Sequence, residues 1–167
     1  YLKEITVPQE WAHNKRIYLR VGAASNTAVL LVNGRYAGEH RGGFSPFTID
    51  ITPYINFGVS NSILIMVDNA SQTDVIPLSS DRSFYGGLYR GCQLIVTDAD
   101  HISVLDDGTD GVRLAVRDIN DSEAMVDARI MFDGTPGADL NVTLDLYAPS
   151  DSAPIHTSSA TVRIGDD

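Results

Sequence analysis

Cysteine is almost absent: the 167 residues hold one, Cys92. A single thiol cannot close an internal disulfide, which excludes a disulfide-stapled scaffold and leaves the redox compartment open. Long apolar runs are missing as well. The longest aliphatic or methionine stretches, residues 28–32 and 63–67, fall far short of the roughly 20 residues a membrane helix needs, so no membrane span is expected. The opening Tyr1-Leu2-Lys3-Glu4-Ile5 has no signal-peptide apolar block and reads as a chain already under way. Histidine is sparse: His13, His40, His101 and His156 stand far apart with no HExxH pair. With no cysteine cluster either, neither a metal site nor a cofactor is expected. No GxGxxG opens a helix, no P-loop is present, and no G-x-S-x-G elbow occurs, so the patterns of dinucleotide, nucleotide and serine-hydrolase chemistry are all lacking. Glutamate is scarce too, confined to Glu4, Glu10, Glu39 and Glu123.

What is present is a globular composition, 43% hydrophobic and 20% charged, which excludes a disordered chain. The length suits one domain of about 150 residues or two small ones. Net charge is −10 and unevenly spread. Residues 1–97 carry seven acids against eight bases, whereas residues 98–167 carry fifteen against four. A break this sharp near Asp98-Ala99-Asp100 marks a domain boundary, and the acidic second half disfavours a nucleic-acid partner, whose phosphates need Lys and Arg.

The hydrophobic pattern has period two. Ile17, Leu19 and Val21 alternate with Tyr18 and Arg20, and Phe47, Ile49 and Ile51 alternate with Thr48 and Asp50. In the second half, Val126 to Phe132 and Leu140 to Leu146 repeat the alternation. Antiparallel strands with one face on a core read this way. The continuous apolar runs at 28–32 and 63–67 read as strands buried on both faces. Asn33-Gly34 supplies a tight hairpin turn, and Thr52-Pro53-Tyr54-Ile55 one helical turn, with Thr52 as cap and Pro53 first. The chain is therefore all-β: seven or eight strands in residues 1–97, enough for a jelly-roll sandwich, and four or five in the rest. A jelly roll would fill residues 1–98, and the four or five strands of residues 101–167 are few for an immunoglobulin-like β-sandwich, so the second domain is expected to be incomplete or cut within a longer protein.

Three segments in order sharpen this reading. They are the stretch from Val32-Asn33-Gly34 through Gly38-Glu39-His40-Arg41-Gly42-Gly43 to Phe47, then Ile49-Asp50-Ile51-Thr52, then Phe84-Tyr85-Gly86-Gly87-Leu88-Tyr89-Arg90. Together they resemble the N-terminal sugar-binding jelly roll of glycoside hydrolase family 2, the β-galactosidase, β-glucuronidase and β-mannosidase group, over about residues 5–105. The resemblance implies that an immunoglobulin-like sandwich follows, and that the catalytic glutamates lie in a later TIM barrel outside this sequence. It implies a non-catalytic portion of a retaining glycosidase whose partners are a β-linked glycoside and the barrel. Use in the periplasm or outside the cell is a further expectation by family. Where the family usually has Asp-Val after G-G-I-Y-R, this chain has Gly91-Cys92.

Within that frame, Asp81 and Tyr85 are the expected sugar-facing residues. A carboxylate accepts two hydroxyl hydrogen bonds without needing a proton, and the resemblance puts the Asp81 loop at the active-site mouth. Asn33, Gly34, His40, Gly42, Gly43, Asp50, Gly86, Gly87 and Arg90 are assigned structural roles: the glycines let the backbone turn or approach closely, His40 makes a buried hydrogen bond, and Asp50 with Arg90 forms a bidentate pair bracing the motifs. Trp11, Phe44, Phe47, Tyr85 and Tyr89 could all stack on sugars, yet aromatics in sandwich strands read first as core, and Cys92 reads as a buried small hydrophobe. Two other functions fit the composition: a free-standing carbohydrate-binding module and a surface-adhesion β-sandwich.

Overall fold

The computed structural model describes residues 1–75, 85–106 and 108–165. The strands are β1 (Leu2–Thr6), β2 (Lys15–Val21), β3 (Ala24–Ser25), β4 (Thr27–Val32), β5 (Arg35–Arg41), β6 (Phe47–Asp50), β7 (Ser60–Asp68), β8 (Gly87–Leu88), β9 (Cys92–Asp98), β10 (His101–Ile102), β11 (Val112–Arg117), β12 (Met125–Ile130), β13 (Phe132–Asp133), β14 (Asp139–Leu146) and β15 (His156–Arg163). Single 3-10 turns sit at Gln9–Trp11 and Thr52–Tyr54. The all-β reading holds. The strand count exceeds expectation only through the two-residue pieces β3, β8, β10 and β13, which are too short to show a period.

A four-stranded antiparallel sheet, ordered β1-β7-β4-β5, faces a three-stranded sheet, β6-β2-β9. Alternation decides what lies between them. Ile17, Leu19 and Val21 of β2 join Ala28, Leu30 and Val32 of β4, Ile63 and Ile65 of β7, and Phe47 and Ile51 in one core. The runs at 28–32 and 63–67 are not buried on both faces: Val29, Leu31 and Leu64 are only half-buried and Met66 is exposed. A two-layer sandwich has no third layer over its outer face, so these central strands keep one face near water. Asn33 and Gly34 join β4 to β5 with φ of 53° and 74°, the pair of positive values that a two-residue hairpin loop requires. One extra residue in β5, Ala37, makes a bulge opposite Leu30 and Leu31.

Thr52 opens its turn differently from expectation. The Asp50 carboxylate accepts the Thr52 backbone N–H at 2.8 Å, while the Thr52 hydroxyl bonds Ile17 N–H at 2.8 Å on β2. Thr52 is thus the first residue of the turn and a tie to the neighbouring strand. Cys92 is exposed rather than buried. It opens the edge strand β9, beside an apolar groove of about 350 Å³ where the two sheets part, between Leu19, Ile63, Leu88 and Leu94. Trp11 packs against the core rim, as its place after Pro8 suggests.

The outer face of the three-stranded sheet carries Tyr18, which is 2% exposed because residues that follow β9 cover it. Its hydroxyl meets His101 Nε2 at 2.9 Å, and burial, with Asp50 and Asp133 nearby, raises its pKa to about 12. Arg20 reaches the same segment through Gly108 O and, at 4.0 Å, Asp110. Beyond it, β10 pairs with β13, β11 with β12 and β14 with β15. The register of the β11–β12 hairpin puts Val112, Leu114, Val116, Val126, Ala128 and Ile130 on one face and Arg113, Arg117, Asp127 and Arg129 on the other. Leu114 and Val116 remain largely exposed.

Candidate functional site

Asn33, Gly34 and Asp50 lie toward one end of the sandwich, where Asn33 bonds Tyr54, Asn61 and Ser62 and Asp50 bonds Thr52. His40, Gly42, Gly43, Gly86, Gly87 and Arg90 converge at the other. There the loop 42–46 between β5 and β6, the chain after β7 and the turn at β8 meet, with β3 and β8 paired through Ala24–Leu88 and Ser25–Gly87. Asn26 is the keystone. Its N–H donates to Asp68 O at 2.7 Å, its carbonyl accepts Gly42 N–H at 2.9 Å, and its side-chain amide donates to Asn69 O at 3.2 Å. Gly86 lies so close to Asn69 that an added Cβ would come within 2.8 Å of the amide carbon, and Gly87 has φ of 104°. Only glycine satisfies both demands at this turn.

His40 is half-buried at the end of β5. Its ring stacks on Phe47, with centroids 4.3 Å apart and planes at 12°, and its Nε2 lies 3.2 Å from Ser45 Oγ. Burial holds its pKa below the usual imidazole range, partly opposed by a bond with the Gly42 backbone. This hydrogen bond spans the base of the loop and is exposed, where a buried one is expected from the sequence. Next to it, Arg41 donates to both oxygens of Asp74 at 2.7 and 2.8 Å and to Gln72 at 2.9 Å. That contact lowers the Asp74 pKa and raises that of Arg41.

Asp50 and Arg90 do not pair with each other. Asp50 is taken by the Thr52 N–H, whereas Arg90 donates Nη1 to Phe44 O at 2.9 Å and lies over the Tyr89 ring at 5.5 Å. The tie between the two glycine motifs is made instead by Tyr89 and Arg90, the former donating its hydroxyl to Gly43 O. The sequence signals no such pairing, because the acceptors are backbone carbonyls that any residue would supply.

Aromatics divide sharply by position. Phe47 is buried at 8% exposure, whereas Phe44, Tyr89 and Tyr85 on the loops are 53%, 47% and 87% exposed. Reading Phe44, Tyr85 and Tyr89 first as core therefore fails, because all three lie in loops rather than on an inward strand position. The exposed rings of Phe44 and Tyr89, whose loops are tied through the Gly43 and Phe44 carbonyls, and of Tyr85, two residues before β8, make up the rim of this end and offer flat apolar faces that can pack on C–H groups. Asp81 lies outside the described residues. The carboxyl groups whose titration shifts among the described residues, Asp74 and Asp100, both shift down, the direction opposite to that of a general acid. These two carboxylates are not set to protonate a glycosidic oxygen. Among the described residues no group of three His, Cys, Asp or Glu side chains is placed to hold a metal ion.

Comparison with known proteins gives one consistent picture. A sequence profile described as "Glycosyl hydrolases family 2, sugar binding domain" matches residues 1–98. A β-glucuronidase of Bacteroides fragilis is 38% identical over 130 residues, covering 78% of this chain and 19% of that protein. A β-galactosidase of Thermoanaerobacter pseudethanolicus is 34% identical over 105 residues, covering 61% and 14%. Among solved structures, a Bacteroides uniformis β-glucuronidase is similar with a TM-score of 0.87 and 30% identity, covering 99% of this chain and 20% of that one. The chain spans about a fifth, or less, of the length of these relatives.

Proposed function

The chain belongs to glycoside hydrolase family 2, and from that premise we propose that it is the non-catalytic, sugar-facing support of a longer β-glycosidase. In this reading the rim formed by Phe44, Tyr85 and Tyr89 borders the mouth of a catalytic barrel supplied by the rest of the protein. The longer protein hydrolyses a β-linked glycoside with retention, through two carboxyl groups about 5–5.5 Å apart. Substrate is a β-glucuronide or β-galactoside, the activities named for the relatives. Asp81, four residues before Tyr85 in the sequence, is the proposed acceptor of sugar hydroxyls. We assign residues 1–98 to the sugar-binding sandwich and residues 101–167 to an immunoglobulin-like neighbour, and place the work in the periplasm or outside the cell. No helix among the described residues is long and apolar enough to cross a membrane.

The observation that carries this reading is the exposure of three loop aromatics at the end of a domain whose family is defined by sugar binding. The test is to assay the longer protein and this chain side by side on chromogenic β-glucuronides and β-galactosides, and to titrate the chain with simple sugars and oligosaccharides. Hydrolysis by the longer protein, with neither hydrolysis nor saturable binding by the chain, is expected. Saturable binding by the chain alone would favour a self-contained carbohydrate-binding module, for which the exposed rings are also the supporting feature.

A further inference from the structure

The loop that carries Phe44 joins β5 to β6 through Gly42, Gly43, Phe44, Ser45 and Pro46. Gly42 N–H donates to Asn26 O at 2.9 Å and the His40–Ser45 contact spans the loop's base, and two further ties come from across the rim. Two successive residues reach two successive carbonyls: Tyr89 donates its hydroxyl to Gly43 O, and Arg90 donates Nη1 to Phe44 O at 2.9 Å. The guanidinium lies over the Tyr89 ring at 5.5 Å, so each side chain fixes the other. The base of this pair is itself held. Gly22 N–H donates to Gly91 O at 2.9 Å, and a Cβ at Gly22 would come within 2.8 Å of the Arg90 Cβ.

We propose that Tyr89 and Arg90 are positioning residues that hold the 42–46 loop in its sugar-receiving shape, acting through the loop and not by touching the reacting atoms. The proposal rests on the function proposed above. Its physical basis is pre-organisation: a loop already ordered in its binding conformation loses less freedom when the sugar arrives. An arginine suits the task because its planar fork can donate to a carbonyl while stacking on a ring, which a lysine ammonium cannot reproduce.

The test uses the longer glycosidase carrying Tyr89→Phe, Arg90→Met or Arg90→Lys, with Tyr85→Ala as the reference for the rim. Amide exchange in residues 42–46 is expected to quicken about tenfold in Tyr89→Phe and Arg90→Met, with the core strands unchanged. KM is expected to rise about three- to tenfold while kcat stays within about twofold, the mark of lost binding. Arg90→Lys should recover part of the loss, since it restores one donor. Unchanged exchange would overturn the clamp. Faster exchange with unchanged KM, where Tyr85→Ala does raise KM, would overturn the positioning role and leave the rim reading standing. Unchanged KM in all variants, Tyr85→Ala included, would remove the rim reading and the proposal with it. Tyr89→Phe deletes one oxygen and keeps the ring, so it decides the matter should the Arg90 variants fail to fold.

Discussion

Asn61 is 1% exposed, and its amide is fully used. Its oxygen accepts from Asn56 N at 2.7 Å and Asn33 Nδ2 at 2.8 Å, and its nitrogen donates to Asn56 O at 2.9 Å and Val59 O at 3.0 Å. Asn33 completes the net by donating to Tyr54 O and accepting from Ser62 N–H. Truncating Asn61 removes four hydrogen bonds to two segments, the 56–59 loop and Asn33, so Asn61→Ala should lower unfolding free energy in urea by roughly 2–4 kcal/mol. A loss under about 1 kcal/mol would mean that water replaces the amide. His40 gives a pH prediction. Its folded pKa lies below the unfolded value, so its contribution is complete above about pH 6.5 and is lost as pH falls through the folded pKa. The midpoint Tm should therefore fall from about pH 7.5 to about pH 5 less steeply in His40→Gln than in the unsubstituted chain, followed by circular dichroism. Asn33 was legible because Asn-Gly is a turn signal with a mechanism. Asn61 was not: one polar residue in a strand reads as outward until the loop it caps is known.

At the level of elements, alternation in the sequence told which residues of β2, β6, β12 and β14 share a face, and the register in space agrees. It could not say how much of the other face is covered. That is why the central strands look doubly buried from sequence, and why Cys92, on an edge strand beside an open groove, looks like an inside residue. The β11–β12 hairpin shows the same gap: its apolar face is evident from sequence, but not its exposure. In this chain the exposed face should bind an apolar dye, and Leu114→Lys with Val116→Lys should cut anilinonaphthalene sulfonate fluorescence by roughly half without moving the main unfolding transition. Undiminished fluorescence would place the dye elsewhere, with the groove beside Cys92 the next surface to probe.

For the molecule as a whole, the all-β fold, the family and the marked glycines were readable because each rests on a local rule or on an ordered set of motifs. The rim was only partly readable. Tyr85 was singled out from its loop, but the exposure of Phe44 and Tyr89 and the carbonyl clamp arise from where distant loops meet. The charge asymmetry runs along the chain: the nearly neutral residues 1–97 bear the rim, and the acidic stretch after them reaches back over Tyr18 through His101. The central claim is that the rim faces sugar, and the most direct measurement is steady-state kinetics of Tyr85→Ala in the longer glycosidase. Tyr85 is 87% exposed, so the fold should not notice the change. The expected result is a KM raised at least about fivefold with Tm unchanged. Identical kinetics on every glycoside the enzyme hydrolyses would contradict it.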